Sequence, residues 1–222
     1  LILLANVAVF SIFLVVNFVG SAALRDEQSK FNELILSKPI NLAQYRLGRF
    51  LGAYLVTVLV FSTSLLGIWI GSGLGNLMGW LDSELVGPNK LSYYFAPLFY
   101  IALPSLFFLA SLFTLVAQKF RSMVSMYLVA VALLVGYLVA NGMFSDIEYR
   151  SIAAYLDMFG LSAISVQAEY WTIADRNTMV ISLVDELLYN RLLWLAIAGL
   201  GVLLIVLNSS HHLPQKQKIK SK

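Results

Sequence analysis

The sequence predicts an all-α fold, a polytopic bundle of membrane-spanning helices, and three observations lead to this prediction. Five long apolar stretches, none of them containing an ionisable side chain, are separated by charged loops. Hydrophobic residues make up 59% of the 222 residues and charged residues only 12%, which is outside the usual range of soluble domains. Basic residues also concentrate in alternate loops, as they do on the cytoplasmic side of membrane proteins.

The five apolar stretches are the predicted spans. The first four hold about 20 residues each, enough for a helix to cross a hydrocarbon core of roughly 30 Å. The fifth is shorter, and Leu187 and Leu188 can extend it beyond Arg191. Because the stretches contain no ionisable side chain, we expect no coupling-ion site at membrane depth. The stretches cover residues 1–23, 50–70, 97–117, 122–144 and 192–207.

The loops predict the orientation. Eleven of the 15 basic residues fall in residues 24–49, 118–121 and 209–222, whereas nine of the 12 acidic residues fall in the other loops. The first visible span therefore runs from outside to inside, and the C-terminus is cytoplasmic. Residues 1–208 form one transmembrane domain, and 209–222 form a basic cytoplasmic tail. Since the chain begins inside a span, we expect a longer protein and a sixth helix before residue 1.

The cytoplasmic loop, residues 24–49, contains a short amphipathic pattern. Proline at position 39 ends this pattern, and Asn41 with Gln44 predicts a variant capping box at the start of the second span. The short helix is either an amphipathic helix on the membrane surface or a docking helix for a cytoplasmic partner. Its apolar face is formed by Phe31, Leu34 and Ile35.

The outer loop, residues 145–191, combines six aromatic residues with seven acids. Its apolar clusters at 152–159 and 161–166 are too short to span a membrane. They predict helices that lie in the interface or re-enter the outer leaflet, because a solvated linker would not need so many aromatic side chains.

Four glycines, Gly67, Gly71, Gly75 and Gly79, recur every fourth residue at the outer end of the second span. If the helix continues through them, they form a smooth face for packing against another helix. An outer loop that begins near Gly71 is the alternative. No Lys-Ser/Thr follows these glycines, so a nucleotide-binding loop is excluded.

Polar residues are sparse within the spans. Pro104 leaves a backbone carbonyl without a donor and predicts a kink in the third span. Most of the polar side chains are predicted to form hydrogen bonds between helices. They are Asn6, Asn17, Ser62, Thr63, Ser64, Ser105, Ser111, Thr114 and Asn141.

Catalytic and metal sites are not predicted. Cysteine is absent, and the only histidines, His211 and His212, are adjacent in the tail, away from any carboxylate cluster. Neither a zinc-binding HExxH motif nor a Ser-His-Asp set is found. The net charge of +3 comes from loop lysines rather than a nucleic-acid-binding patch. We therefore expect a chain that is not itself an enzyme and binds no nucleic acid.

The first loop resembles that of permease subunits of ABC type-2 exporters. The resemblance is carried by Arg25-Asp26-Glu27 after a span, by residues 33–39, ELILSKP, and by residues 45–53, YRLGRFLGA. In that family this loop is the coupling segment that rests on the ATPase subunit. The resemblance therefore implies an ATPase contact formed by Arg25, Asp26, Glu27, Lys30, Phe31, Glu33 and Leu34.

The outer loop is similar to that of bacterial permeases joined to a zinc aminopeptidase-like domain. The matching runs are residues 159–163, FGLSA, 170–172, YWT, 175–178, DRNT, and 190–194, NRLLW. This chain departs from those proteins because it has five visible spans rather than six and no peptidase residues. The resemblance implies outer-loop site residues Tyr170, Trp171, Arg176 and Asn177.

Together, these resemblances imply the permease of an ATP-driven exporter in the bacterial inner membrane. Such a permease pairs with a second half, identical or different, and with ATPase subunits that bind ATP and Mg. No cofactor is expected in this chain. The alternative is a non-transporting membrane anchor or sensor that acts through the outer aromatic loop. A passive channel is a weaker option, because no ring of charge lies near a span interior.

Overall fold

The computed structural model describes residues 2–29, 40–80, 90–143, 149–172, 175 and 179–210. The regular structure in these ranges is helical, and five helices are long and apolar enough to cross a membrane. The predicted all-α fold, with five helices that could cross a membrane, is therefore confirmed for the described residues. We call the five helices the first to fifth spans. The first span consists of Ile2–Val15, Val16–Gly20 and Ser21–Gln28, and the second is Leu42–Leu77. The third consists of Ser92–Pro97, Leu98–Ala102 and Leu103–Phe120. The fourth is Met123–Met143, and the fifth is Asp185–Ser210.

Four of the five helices extend beyond the apolar stretches that predicted them, whereas the fourth, Met123–Met143, lies within its stretch. The second span has 36 residues and is about 54 Å long at 1.5 Å per residue, more than a hydrocarbon core needs. The fifth span begins at Asp185, which confirms the extension through Leu187 and Leu188. Arg191 therefore lies within the helix of the fifth span, whereas the apolar stretch 192–207 itself contains no ionisable side chain. A buried arginine is compatible with a helix because protein groups bind its guanidinium.

The third span lies at the centre of the bundle and contacts the other four. In its most apolar segment 61% of the residues are buried, against 22% in the second span and 17% in the fourth. Leu109 and Phe113 of this span are fully buried. The second and fourth spans instead direct many large apolar side chains outward, as helices in contact with lipid do.

The first and third spans each contain a five-residue π-helical segment, at Val16–Gly20 and Leu98–Ala102. The segment in the third span comes just before Pro104, and there the Leu103 N–H donates to the Leu98 carbonyl. Because proline has no N–H and its ring crowds the preceding turn, a wider turn accommodates it. The irregularity predicted at Pro104 thus takes the form of a π-helical segment.

Hydrogen bonds are described for six of the nine polar side chains named for the spans, and of these six only Asn17 and Ser105 bond to another element. The prediction of mainly interhelical bonds is therefore wrong for these six. Four hydroxyl groups donate to carbonyls three or four residues earlier, because these acceptors are always within reach in an apolar environment. The four donors, at 2.7–2.8 Å, are Ser62, Thr63, Ser111 and Thr114.

The outer loop contains two short helices, Arg150–Leu156 and Leu161–Gln167. They coincide with the two apolar clusters predicted to be helical, and they contact each other and the fifth span. Phe159, in the turn between them, is fully buried and packs edge-on against Tyr137 of the fourth span, with ring centroids 5.0 Å apart. We call residues 150–167 the outer helix pair.

Candidate functional site

The structure describes only part of the predicted ATPase contact. Arg25, Asp26 and Glu27 lie in the helix Ser21–Gln28, at the end of the first span. Asn41 caps the second span, and its Oδ1 accepts from the N–H groups of Ala43 and Gln44 at 3.1 and 3.2 Å, so the N-cap of the predicted capping box is confirmed. The remaining contact residues, Lys30, Phe31, Glu33 and Leu34, lie outside the described residues, as does the predicted short helix.

Asp26, Tyr45 and Arg49 form a polar cluster that joins the first and second spans. The Asp26 carboxylate accepts hydrogen bonds from Arg49 Nη1 and from the Tyr45 hydroxyl, the latter at 2.9 Å. Arg49 also lies over the Tyr45 ring, with Cζ 5.7 Å from the ring centroid. Tyr45 and Arg49 are four residues apart, so they occupy one face of the helix that opens the second span.

This cluster is shielded from solvent, since the side chains of Arg49 and Asp26 are 19% and 16% exposed. A charge-assisted hydrogen bond of this kind is worth about 1.5–3 kcal/mol when buried and less as exposure rises. The cluster therefore holds together the two helix ends that flank residues 30–39. A force applied to that loop would act on both spans together.

Arg25 points away from this cluster, because adjacent residues on a helix are about 100° apart. Its side chain is exposed and lines a cleft between the first and second spans. The structure thus assigns the two neighbouring charges to different places: Asp26 to the interhelical cluster and Arg25 to the cleft.

The predicted outer-loop residues are only partly described. Tyr170 is 89% exposed, whereas Trp171 is half-buried and packs against an apolar cluster that includes Ile164 and Leu187. Arg176 and Asn177 lie outside the described residues. Thr172 and Asp175 form a reciprocal capping box: Asp175 N–H donates to Thr172 Oγ1 at 3.2 Å, and Thr172 N–H donates to Asp175 Oδ2 at 3.0 Å.

Arg191 and Asn190 form a buried polar network beside the outer helix pair, with 2% and 0% exposure. Arg191 Nη1 donates to Ser105 Oγ of the third span at 3.0 Å, and Nε donates to Asn190 Oδ1 at 2.9 Å. The Asn190 amide nitrogen donates to three carbonyls of the outer helix pair, at 2.6–3.0 Å. These carbonyls belong to Ala154, Tyr155 and Asp157.

The turn of the outer helix pair completes this network. Asp157 accepts from the N–H groups of Phe159 and Ser162 at 2.9 and 2.7 Å, which fixes the turn. Gly160 has a φ of +75°, and a Cβ at this position would collide with the Arg191 guanidinium. Only glycine combines that backbone conformation with such close approach. The network therefore anchors the outer helix pair to the third and fifth spans.

The Tyr137 hydroxyl of the fourth span borders the network. Among the described residues it is buried without a partner in hydrogen-bonding geometry, although the Asp157 carboxylate is near enough to interact with it electrostatically. The fourth span therefore places a polar group beside the outer helix pair.

Sequence reasoning placed Arg191 in the outer loop and missed this network. The available signal was Asn190-Arg191 followed by an uninterrupted apolar run, which is compatible with a buried polar pair inside a helix. The partners could not be inferred, because the Asn190 acceptors lie 33–36 residues earlier in the chain.

The glycine face is only partly as predicted. The second span remains helical to Leu77, so Gly67, Gly71 and Gly75 share one helical face, and no outer loop begins at Gly71. Gly79 lies beyond the helix with a φ of +68°, and Trp80 N–H donates to the Gly75 carbonyl, a Schellman motif that ends the helix. The prediction that Gly79 packs against another helix is therefore wrong. A Cβ added at Gly67 or Gly71 would meet nothing within 4 Å among the described residues.

Among the described residues, no group of three or more His, Cys, Asp and Glu side chains is placed to hold a metal ion. No protein-family model matches the chain, and no curated protein or solved structure matches it significantly. The resemblance to ABC type-2 permeases therefore remains a prediction from the sequence motifs.

Proposed function

We propose that this chain is the permease component of an ATP-driven ABC exporter in the bacterial inner membrane, with a cytoplasmic C-terminus. It would couple ATP hydrolysis by a separate ATPase subunit to movement of a substrate across the membrane. The observation that carries the proposal is the cluster of Asp26, Tyr45 and Arg49, which joins both ends of the loop predicted to contact the ATPase.

The cluster supports a lever mechanism. An ATPase that moves residues 30–39 would act on two helix ends that are already tied together, so the first and second spans would move as a unit. A loop attached to independent helix ends would lose much of that displacement. The long second span, at 36 residues, would carry the movement through the full thickness of the membrane.

The lack of a coupling-ion site in the apolar stretches supports ATP as the energy source. Carriers driven by ion gradients use acidic residues or histidines at membrane depth to bind the coupling ion. The five apolar stretches of this chain contain neither. Arg191, the buried cation of the fifth span, donates its hydrogen bonds to Ser105, Asn190 and backbone carbonyls. ATP hydrolysis on a partner would supply the energy instead.

Affinity purification of the full reading frame from its native membrane, followed by mass spectrometry, tests the proposal. We expect a stoichiometric ATPase with Walker motifs. The variants Asp26→Arg and Arg49→Asp should each lower the amount of ATPase recovered about fivefold, the equivalent of about 1 kcal/mol. The double variant, which restores opposite charges, should recover most of it.

Glu169→Arg is the matched control, because it reverses one charge of the Arg150–Glu169 ion pair in the outer loop. It should leave ATPase recovery unchanged. If the Asp26 and Arg49 single variants each recover as much ATPase as the wild type, the role of the cluster is refuted. If no ATPase is recovered and a protein of the outer face is found instead, the alternative of a membrane anchor or sensor replaces the transporter, and the exposed Tyr170 would be its first candidate contact.

A further inference from the structure

A cleft of about 470 Å³ lies between the first and second spans, at the end of the bundle that carries Arg25 and Arg49. This volume is within the range of small-molecule sites in proteins, about 300–1,000 Å³. Among the described residues its walls come from two helices, with five residues from the first span and three from the second. They are Phe18, Ser21, Ala22, Arg25 and Gln28, and Gly52, Ala53 and Val56.

The cleft is polar at one end and apolar along the rest. Arg25 and Gln28, at the end of the first span, form its polar mouth, and Phe18, about two turns before Arg25, is part of the apolar wall. From Phe18 to Gln28 the first span rises about 15 Å. Phe18 is 37% and Val56 45% exposed, so the cleft opens sideways from the bundle rather than into its core.

Arg25 supplies a positive charge at this mouth. Its side chain is exposed, and among the described residues no carboxylate forms an ion pair with it, whereas the adjacent Asp26 is held by Arg49. A guanidinium beside an apolar groove is a recognition element for phosphate, because its fork of N–H donors matches the phosphate oxygens.

The surroundings of a membrane helix determine what fills such a cleft. An apolar cleft that opens sideways at hydrocarbon depth is in contact with acyl chains, and a basic pocket between spans binds anionic headgroups. We propose that this cleft binds an anionic glycerophospholipid, with its phosphate at Arg25 and one acyl chain along Phe18, Ala22 and Val56. Arg25 also belongs to the predicted ATPase contact, but lipid binding in the cleft does not depend on that contact, and the test below uses the chain without an ATPase.

Gly52 offers a way to fill the cleft. It lines the cleft, and a Cβ added there would meet nothing within 4 Å, so a larger side chain would occupy the cleft without displacing protein atoms. Gly136 of the fourth span is equally open and is not part of the cleft. Gly52→Leu and Gly136→Leu are therefore a matched pair of the same substitution inside and outside the site.

The test is native mass spectrometry of the full chain released from nanodiscs with equal amounts of phosphatidylglycerol and phosphatidylcholine of identical acyl chains. We expect the wild type to retain phosphatidylglycerol about fivefold more than phosphatidylcholine, the weight of one basic residue near an anionic lipid. Arg25→Gln should abolish this preference, Arg25→Lys should keep most of it, and Gly52→Leu should reduce retention of both lipids. Gly136→Leu should behave as the wild type.

Equal retention of the two lipids by the wild type, or an unchanged preference in Arg25→Gln, would overturn the proposal. So would full retention by a folded Gly52→Leu variant. If the wild type retains neither lipid and is instead a dimer that Gly52→Leu dissociates, the cleft is occupied by a second copy of the chain and the lipid site is refuted. Arg25→Gln keeps the test decisive even if Gly52→Leu fails to fold.

Discussion

At the scale of single residues, the buried polar groups of the outer face are held mainly by backbone groups rather than by opposite charges. Asn190 donates to three carbonyls and Asp157 accepts from two backbone N–H groups. Such partners suit a membrane protein, because a backbone group that is already in place satisfies the polar atom at little further cost in side-chain entropy. Each of these side chains thereby fixes a segment distant in sequence.

Asp175 allows a prediction of pH dependence at this scale. The hydroxyl and the N–H of Thr172 both donate to its carboxylate, and these hydrogen bonds lower the pKa of Asp175 below its ordinary value. Because the folded pKa is depressed, the stabilisation is present above the unfolded pKa, about 3.9, and is lost as the pH falls through the folded pKa.

Thr172→Val should raise the pKa of Asp175 towards its ordinary value, because it removes the hydroxyl donor and leaves the backbone donor. Thr172→Ser keeps a hydroxyl and is the matched control. An NMR titration of the Asp175 carboxyl carbon measures the shift. Identical titration curves for the valine variant and the wild type would contradict the hydrogen-bond explanation.

At the scale of elements, the sequence was informative about where helices form and less so about where they end. The cluster at 161–166 is helical throughout, and the cluster at 152–159 is helical as far as Leu156, after which residues 157–160 form a turn. The apolar stretch of the fifth span begins after Arg191, and the helix extends through Leu187 and Leu188 to Asp185, as the sequence allowed. A charge ends a span only if nothing in the protein satisfies it, and that condition depends on the packing of the outer helix pair.

Gly160 tests whether the outer helix pair is anchored through Arg191. Gly160→Ala should lower the free energy of unfolding by about 1–3 kcal/mol, from strain at positive φ and from displacement of the guanidinium. The matched control Gly136→Ala sits in an exposed helix position with open space and should be neutral or stabilising by about 0.5–1 kcal/mol. Denaturant titration in bicelles measures both.

Repeating Gly160→Ala in a chain that lacks the guanidinium separates backbone strain from displacement of Arg191. In an Arg191→Met chain, Gly160→Ala should cost less than in the wild type, because the displaced guanidinium is gone and only backbone strain remains. Equal costs in both backgrounds would show that the guanidinium does not press on Gly160.

At the scale of the whole molecule, the third span is the packed centre, and the second and fourth spans are the most exposed. Gly67 and Gly71 lie on the second span with no neighbour within reach of an added Cβ among the described residues. If the permease works with a second half, as proposed, this smooth face is available for close approach of another helix.

Gly71→Leu should therefore leave the fold of a single chain unchanged and weaken association with a second half, by about tenfold if one close helix contact of about 1.4 kcal/mol is lost. Sedimentation or single-molecule photobleaching in lipid nanodiscs measures the association. Gly136→Leu again serves as the control on an open helix face. A dimer of unchanged stability in Gly71→Leu would place the interface elsewhere.

The sequence by itself determined the five spans and the all-α membrane fold, because the transfer of a long apolar stretch into lipid depends on composition and length alone. Asp26 and Arg49 both belong to the first-loop runs that carry the permease resemblance, but the sequence did not show that these two residues, 23 positions apart, form an ion pair. Only the tertiary structure decided which polar groups are buried and satisfied. The Arg191 and Asn190 network, the glycine at the Schellman turn and the cleft at Arg25 all depend on distances between helices, which no local pattern in the sequence specifies.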